Sequence, residues 1–415
     1  MEFAFSPKVE ALRRQLLNFM DDHVIPRIGA WNAAEAAHVA PNFIDDLKAL
    51  AREEGLWNLF LPGLSDDEPG QRLSNLDYAP LAEIMGRITW APEIFNCNAP
   101  DTGNMEVLHL FGTPAQRERW LKPLLAGTIR SCFAMTEPDV ASSDATNIQT
   151  DIRRDGDDYV ITGRKWFITG AAHPRCAVAI VMGVTDAAAE VHRRQSMVLV
   201  PMSAPGLTVV RNVPVMHHVA LEGHCEILLR DVRVPRANLI AAEGDGFAIA
   251  QARLGPGRVH HCMRSIGQAE LALELMCERA AERQTFGRYL HQHGVVAEWI
   301  ALSRIEIEQA RLLVLKTAWM IDRHGARAAA REVAMIKALV PRMQMAVCDR
   351  AMQTFGAMGL SSDTPLALLW TAARLLRIAD GPDEVHLRTV ARQEMKQAAA
   401  RRGATLPYLQ QGTVH

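Results

Sequence analysis

The chain has 415 residues, of which 45 are Lys or Arg and 47 are Asp or Glu, so its formal net charge is -2. This balance disfavours nucleic acids and anionic membrane surfaces as partners. No apolar run approaches the about 20 residues that span a bilayer, so no integral membrane segment is expected. The length is sufficient for two to three domains and a cofactor cleft.

The cysteines and the N-terminal segment indicate a reducing compartment. Seven cysteines are scattered without a CxxC pair, which argues against a disulfide framework and against a zinc module. The segment MEFAFSPKVEALRRQ lacks the apolar core of a signal peptide. We therefore predict a cytoplasmic protein, or one of the mitochondrial matrix or peroxisome if the source is eukaryotic.

The first part of the chain has the apolar spacing of helices, as at Leu12 and Leu16. Thr113 followed by Pro114 places a capping residue before a proline at the first helical position, which predicts a helix start. Together these patterns predict an N-terminal helical domain over residues 1–130.

Short segments rich in β-branched and aromatic residues follow, from SCFAMT at Ser131 to HCEILLRDVRVP, with Gly, Asp, Asn and Pro between them. They predict an antiparallel β-sandwich or barrel domain of about seven strands, over residues 131–240. Because the segments show neither βαβ alternation nor a GxGxxG motif, a Rossmann dinucleotide site is not expected.

Helical spacing returns from Gly244 and predicts a helical bundle over residues 241–395. One helix is predicted over residues 326–355, with a kink or local break at Pro341. Residues 396–415 lack a periodic apolar stripe and are predicted to form a tail. The predicted fold class is therefore α+β, mainly α.

The segment FAMTEPDVASSDATNI begins as a strand at Phe133 and becomes a loop rich in hydroxyl and acidic side chains. It is either a polar turn after an edge strand or a ligand-binding loop in which Thr136 and Ser143 donate hydrogen bonds. Together with the later GRKWFITGAA, it resembles the flavin-binding signature of acyl-CoA dehydrogenases. These segments and ADGPDEVHL are especially similar to the branch of that family that animals carry fused to a kinase-like domain.

The resemblance implies an acyl-CoA dehydrogenase-like fold, with an N-terminal helical domain, a central antiparallel β domain and a C-terminal four-helix bundle. It also implies FAD as the cofactor. Phe167 takes the place of a tryptophan that usually packs against the isoalloxazine, and Thr169 that of a hydroxyl near flavin N5. From the strand period alone, Trp166 and Phe167 are expected to face opposite sides of the sheet. The FAD contacts that the resemblance implies here are Phe133, Met135, Thr136, Ser142, Phe167 and Thr169.

Two later segments resemble family contacts to the far end of FAD. In ERQTFGRYL, Arg283 is expected in the last turn of a helix, where a cation is either a partner of the helix dipole or, by resemblance, a contact to the FAD of a neighbouring subunit. The resemblance gives Thr285 and Phe286 the same role and implies a homodimer or homotetramer. QTFGAMG resembles the loop over the adenosine end, which makes Gln353 and Gly356 cofactor contacts.

The segment RIADGPDEVH contains the residue on which the mechanism depends. Pro382 is expected at a helix start, so Asp380 is either a capping residue or, by resemblance, the catalytic base that most members carry as glutamate. In the family an N–H at the base binds the thioester carbonyl, so Gly381 is an expected substrate contact. Pro382 and Glu384 replace a threonine and a glutamine that often touch FAD. Burial is expected to raise the pKa of Asp380.

The run LGPGRVHHCMRSIG contains His260, His261 and Cys262. Adjacent histidines on a helix point about 100° apart, so they do not readily bind one ion and no metal site is expected. By resemblance, Arg258 lies at the substrate entrance and holds CoA, and Ser143 is a further substrate contact.

The resemblance implies FAD-dependent α,β-dehydrogenation of an acyl-CoA thioester to the 2-enoyl-CoA. Asp380 abstracts the α-proton, hydride passes to flavin N5, and the electrons go to an electron-transfer flavoprotein. One alternative is a flavin oxidase on the same fold that acts on acyl-CoA or, like the nitroalkane oxidases with their aspartate base, on nitroalkanes. Another is a flavin-free binding module.

Overall fold

A computed structural model of the chain describes residues 4–221 and 223–401. Its N-terminal part is helical, as predicted, and begins at a strong cap: the Ser6 hydroxyl accepts a hydrogen bond from the Val9 amide, and Pro7 occupies the first turn. The predicted start at Thr113 is also found, where Thr113 and Gln116 form a reciprocal capping box. The helices of this part are α1 (Pro7–Phe19), α2 (Ile28–Ala36), α3 (Ile44–Glu53), α4 (Asn75–Gly86), α5 (Ala91–Ile94), α6 (Asp101–Phe111), α7 (Pro114–Gln116) and α8 (Lys122–Leu125).

Single-turn segments of other helix types connect several of these elements. Two are π-helical, Met20–Val24 after α1 and Arg117–Leu121 between α7 and α8. The 3-10 turns are Ile25–Arg27, Ala145–Asn147, Val191–Arg193, Arg236–Asn238, Leu290–Gln292 and Gly356–Leu360.

The central part contains seven strands in one connected sheet, in the order β1-β4-β2-β3-β7-β6 with β5 paired to β4. The strands are β1 (Arg130–Ala134), β2 (Asp151–Asp155), β3 (Asp158–Thr169), β4 (Cys176–Val184), β5 (Gln195–Pro201), β6 (Leu207–Asn212) and β7 (His224–Pro235). Most pairs are antiparallel, but β4 is parallel to both β1 and β2, so the prediction of a fully antiparallel domain is wrong at these two pairs. Segments DYVITG and RKWFITG form the single strand β3, and β2 was not predicted.

Alternation along β4 explains how the sheet joins the rest of the protein. Val178 and Ile180 pack into the large core shared with the helices, whereas Ala179 and Val181 pack into a second apolar cluster. That second cluster also contains side chains from β3 and β7, so two parts of the sheet pack face to face. One face of β4 therefore anchors the helices, and the other closes the β domain.

The C-terminal part is a helical bundle made of α9 (Gly246–Glu282), α10 (Gly294–His324), α11 (Ala330–Phe355), α12 (Leu366–Leu376) and α13 (Asp383–Ala400). A short hairpin of β8 (Gln284–Thr285) and β9 (Arg288–Tyr289) lies between α9 and α10. Among the helices of the described ranges, none combines the length and apolarity that a bilayer crossing requires.

Three details of this bundle differ from the sequence predictions. Helix α11 begins at Ala330, later than predicted, and continues past Pro341 to Phe355. Arg283 is the residue that ends α9 rather than a member of its last turn. Helix α13 continues to Ala400, so the first part of the predicted tail, residues 396–400, is helical, and residues 402–415 lie outside the described part of the chain.

Helix α9 crosses α4 so closely that the contact requires glycine. A Cβ added at Gly267 would lie 1.9 Å from the carbonyl oxygen of Glu83, and one at Gly86 would lie 2.4 Å from the Cα of Arg264. Because backbone atoms cannot move aside as a flexible side chain does, any larger residue separates the two helices. This crossing fixes α9, which carries several residues of the site described below.

We predict that Gly267→Ala destabilises the protein by about 1–3 kcal/mol through overpacking. Gly257→Ala on the same helix is the matched control, because a Cβ there meets nothing within 4 Å and alanine favours helix more than glycine. Thermal unfolding should show a lower melting temperature for the first variant and an equal or higher one for the second. Equal melting temperatures would contradict the close crossing.

Candidate active site

A cavity of about 2610 Å³ lies where the helical regions and the β domain meet. Ten of the predicted site residues line it, and they come from separate parts of the chain: Phe133, Met135, Thr136, Ser142, Ser143, Phe167, Thr169, Arg258, Asp380 and Gly381. The remaining five, Arg283, Thr285, Phe286, Gln353 and Gly356, do not line it.

The hydroxyl-rich loop after β1 is held by a buried charge that the sequence analysis missed. Lys165 is fully buried, and its ammonium donates to the carbonyls of Met135 at 2.8 Å and Met182 at 2.6 Å and to the Glu137 carboxylate at 2.9 Å. Glu137 also accepts from the Thr150 amide and hydroxyl. Burial lowers the pKa of Lys165 to about 8, so the ion pair persists at neutral pH. It ties the loop to β3 and β4.

Ser142 stabilises the same loop from within. Its hydroxyl accepts from the Glu137 amide at 2.9 Å and donates to the Glu137 carbonyl at 3.2 Å. Thr136 and Ser143 lie in the lining on either side of this turn. The loop is therefore a turn that lines the cavity, and its role in binding a ligand remains a prediction.

The aromatic pair on β3 departs from the regular strand period. The register shifts between Lys165 and Ile168, and Phe167 has a φ of +53°, as expected for a β-bulge. Because of the bulge, Trp166 and Phe167 both line the cavity instead of facing opposite sides, with ring centroids 4.9 Å apart. The prediction from simple alternation is wrong here.

Thr169 lies at the end of β3 beside a histidine that the sequence analysis did not single out. Its hydroxyl and His224 Nδ1 form a hydrogen bond of 3.0 Å. Burial lowers the pKa of His224 below its ordinary value, so this ring is neutral at neutral pH. The pair adds a polar, uncharged element to the cavity lining.

The loop between α12 and α13, which contains Asp380, is fixed at both ends. The Lys337 ammonium donates to the Leu376 carbonyl at the end of α12. At the start of α13, the buried Asp383 carboxylate accepts from Arg377 Nε at 2.7 Å and Arg342 Nε at 2.9 Å. Charge-assisted bonds of this kind are stronger than neutral ones, so the loop has a defined position.

Asp380 is not a helix cap. Pro382, which was predicted at a helix start, is the N-cap residue of α13, and no side-chain hydrogen bond caps that end. Asp380 has a φ of +56°, a strained value for a residue other than glycine. Such strain is maintained only where surrounding contacts determine the conformation.

The contacts that determine this conformation are made to the carbonyl oxygen of Asp380. It accepts from Arg258 Nε at 2.8 Å, and His386 Nε2 lies 3.3 Å from it. Gly381 follows with a φ of +103°, and a Cβ there would lie 2.9 Å from His386 Nε2, so this position requires glycine. Arg258 thus contacts the loop that contains Asp380, and its predicted contact with CoA remains a prediction.

The Asp380 carboxylate lies among cationic groups. Its side chain is 23% exposed, and Oδ2 lies 3.4 Å from His261 Nε2. Burial acts to raise the pKa of Asp380, but the charge of His261 at the low pH where its ring is protonated, together with Arg253, Arg258 and Lys337, outweighs burial and holds that pKa below its ordinary value. The expected rise is therefore wrong in sign, because the sequence did not indicate how many cations surround the group.

His261 itself is neutral at neutral pH, since burial lowers its pKa to about 3. The cations that persist near Asp380 are therefore Arg253, Arg258 and Lys337. Arg253 was missed in the sequence: its guanidinium lies 4.0 Å from the centre of the Phe133 ring, and its Nε donates to Asn104 at 3.0 Å. The carboxylate is thus ionised at neutral pH.

The five residues outside the cavity lie at one end of the bundle. Phe286 is at the tip of the β8–β9 hairpin and is 96% exposed, an unusual setting for a large apolar ring. Gln353 and Gly356 are exposed at the end of α11. The two places are connected, because Arg279 of α9 lies over the ring of Phe355 at 5.4 Å.

His260 and His261 have separate surroundings. His260 packs against the rings of Tyr78 and Phe60, whereas His261 faces Asp380. Over the part of the chain that the structure describes, no group of three or more His, Cys, Asp or Glu side chains has the arrangement of a metal site.

Comparison with known proteins gives matches along most of the chain. Family models described as the N-terminal, middle and C-terminal domains of acyl-CoA dehydrogenase match residues 6–128, 132–232 and 244–395. A Mycobacterium tuberculosis protein named "Probable acyl-CoA dehydrogenase FadE2" is 56% identical over 401 residues, which are 95% of this chain and 97% of that protein.

A longer animal relative matches the predicted branch. "Acyl-CoA dehydrogenase family member 11" of Gallus gallus is 53% identical over 95% of this chain, which spans 51% of that relative.

Solved structures have the same architecture. A solved structure named "Structure of a putative acyl-CoA dehydrogenase from Mycobacterium abscessus" has a TM-score of 0.92 and 51% identity, covering 95% of this chain and 100% of the other. The butyryl-CoA dehydrogenase of Megasphaera elsdenii has a TM-score of 0.81 and 25% identity, with coverage of 95% and 100%. Three matched domains and a full-length relative of this identity establish that the chain belongs to the acyl-CoA dehydrogenase family of oxidoreductases.

Proposed function

We propose that this chain catalyses FAD-dependent α,β-dehydrogenation of an acyl-CoA thioester to the 2-enoyl-CoA, with Asp380 as the base. The setting of Asp380 supports this proposal most directly. Its ionised carboxylate belongs to a strained, anchored loop and lines the same cavity as the aromatic pair Trp166 and Phe167.

The residues around the cavity fit FAD. The aromatic pair offers flat apolar surface for a ring system, and the loop after β1 offers small hydroxyl side chains and backbone groups for polar atoms. The volume of about 2610 Å³ exceeds that of an ordinary small-ligand pocket. The residues proposed to hold the flavin end are Phe133, Met135, Thr136, Ser142, Phe167 and Thr169. When bound, FAD supplies the acceptor for the hydride that leaves the β-carbon.

The task of the protein is to remove a weakly acidic α-proton. A carboxylate must already be ionised to accept that proton, and Asp380 is kept ionised by Arg253, Arg258 and Lys337. The same cations lower the basicity of Asp380, but they also stabilise negative charge that develops on the thioester oxygen as the proton leaves. In a cavity from which the acyl chain excludes water, this second effect is larger than in solvent.

The exposed end of the bundle supports a second part of the proposal, that residues of a neighbouring subunit complete the FAD-binding site. Phe286 is almost fully exposed beside Arg283 and Thr285, and Gln353 and Gly356 lie at the same end. We propose that these five residues contact the diphosphate and adenosine of the partner's FAD in a homodimer or homotetramer. We further propose an electron-transfer flavoprotein as the electron acceptor.

The reaction class is tested by anaerobic mixing of the flavin-loaded enzyme with acyl-CoAs of varied chain length. We expect loss of flavin absorbance near 450 nm with one or more of them. Bleaching by nitroalkanes alone would favour the oxidase alternative, for which the aspartate base is the specific observation. Absence of flavin binding after FAD is added would favour a binding module.

Asp380→Asn is expected to retain FAD and to lower the rate of flavin reduction by roughly 10²–10⁴-fold, because amide nitrogen and oxygen cannot accept the proton. Glu394→Gln on α13 is the control, since it removes a carboxylate from the helix that follows the Asp380 loop, outside the cavity lining. Stopped-flow absorbance under saturating acyl-CoA gives the rate. A rate for Asp380→Asn equal to that of the control would assign the base elsewhere.

Arg283→Ala is expected to weaken FAD binding by roughly tenfold or more, as for loss of a charge-assisted hydrogen bond. Arg288→Ala in the same exposed hairpin is the matched control for general loss of positive charge. Titration of apoprotein with FAD, followed by flavin fluorescence, gives both dissociation constants. If the two variants bind FAD as the parent does, Arg283 is only a partner of the α9 dipole.

A further inference from the structure

His261 lies between a cation and the proposed base. On one side, Arg264 Nη2 lies 3.1 Å from His261 Nδ1. On the other side, His261 Nε2 lies 3.4 Å from Asp380 Oδ2. His261 and Arg264 are neighbours on one face of α9, three residues apart, whereas Asp380 comes from the loop before α13. Nothing in the proposed chemistry so far uses His261 or Arg264.

The partners of the ring determine its tautomer. A guanidinium group can only donate hydrogen bonds, so Nδ1 must present its lone pair to Arg264. A neutral imidazole then has its proton on Nε2, the atom that faces Asp380. The ring is neutral because burial lowers the pKa of His261 to about 3. The histidine therefore presents an N–H group to the carboxylate.

The support for this arrangement is rigid. Arg264 also donates through Nη1 to the Cys97 carbonyl at 3.3 Å. Its backbone lies against α4, where the missing Cβ of Gly86 permits the approach. The packing of α9 against α4 therefore fixes the position of His261 relative to the loop that contains Asp380.

We propose that His261, with its tautomer fixed by Arg264, is a positioning residue for Asp380. This inference rests on the proposed role of Asp380 as the base. The His261 N–H attracts Oδ2 electrostatically across 3.4 Å, which leaves Oδ1 to accept the α-proton. In that step the carbon–hydrogen bond breaks, an Oδ1–H bond forms, and both His261 and Arg264 keep their protons.

The arrangement matters because an aspartate places its carboxylate on a short side chain. The strained backbone at Asp380 fixes the base of that side chain, and the His261 contact fixes its rotation. A carboxylate that is free to rotate spends less time with an oxygen directed at the reacting carbon. Loss of the contact therefore reduces the rate of the chemical step more than the affinity for substrate.

Other ionisable groups also lie near Asp380. They are Arg253, Arg258 and Cys262 on α9, Lys337 on α11 and His386 on α13. An N–H group that donates to a carboxylate favours the ionised form. Removal of His261 therefore raises the pKa of Asp380, and the acidic limb of the rate profile moves to higher pH while Arg253, Arg258 and Lys337 keep part of the depression of that pKa.

The test uses three variants in their flavin-loaded, full-length form: His261→Leu, His261→Gln and Arg264→Met. Anaerobic stopped-flow with the acyl-CoA that best bleaches the parent gives the limiting reduction rate and the apparent dissociation constant at several pH values. For His261→Leu we expect a limiting rate about 10–100-fold lower, acyl-CoA affinity within about twofold of the parent, and an acidic limb displaced upward.

His261→Gln should recover most of the rate and the parental acidic limb, because its amide N–H reaches the place of Nε2. Arg264→Met should lower the rate several-fold, because both tautomers then become populated.

A parental rate and acidic limb in His261→Leu would overturn the inference, and so would a His261→Gln variant as slow as His261→Leu. If His261→Leu does not fold, Arg264→Met decides, and a parental rate in that variant would then overturn the inference. Failure of the parent enzyme to be reduced by any acyl-CoA is a different result, which would contradict the proposed function instead.

Discussion

The site depends on the buried carboxylate of Asp383. It accepts hydrogen bonds from Arg377 and Arg342 and so fixes the point where the loop enters α13. With Lys337 at the other end of the loop, this interaction makes the strained backbone at Asp380 sustainable. A carboxylate on a short side chain can act as a base only where its backbone position is defined, and these ion pairs define it.

The cavity requires all three regions of the chain. The β domain contributes the aromatic pair and the loop held by Lys165, and α9 contributes Arg253 and Arg258, two of the three cations that keep Asp380 ionised. The close crossing of α4 and α9 at Gly267 fixes the position of Arg253 and Arg258 relative to the loop that contains Asp380. Packing far from the cavity therefore has a direct consequence for its electrostatics.

The family, the fold class and ten of the residues that line the cavity could be predicted, because they depend on local periodicity and on short motifs such as the segment containing Thr136. The features that were missed depend on contacts between distant segments. The parallel β1–β4 pair, the bulge at Phe167 and the burial of Lys165 have no local signal. The pKa of Asp380 was predicted with the wrong sign because its cations come from other helices. His261 was considered only as a metal ligand, because Asp380, which lies beside it in the structure, is far from it in the sequence.

Removal of the α-proton by Asp380 can be measured separately from hydride transfer with tert-butylacetyl-CoA. This thioester has α-hydrogens but no β-hydrogen, so it cannot be dehydrogenated. In D₂O, the parent enzyme should exchange the α-hydrogens for deuterium, measured by mass spectrometry, and Asp380→Asn should exchange them no faster than solvent alone. Exchange by Asp380→Asn at the parental rate would show that a group other than Asp380 removes the α-proton.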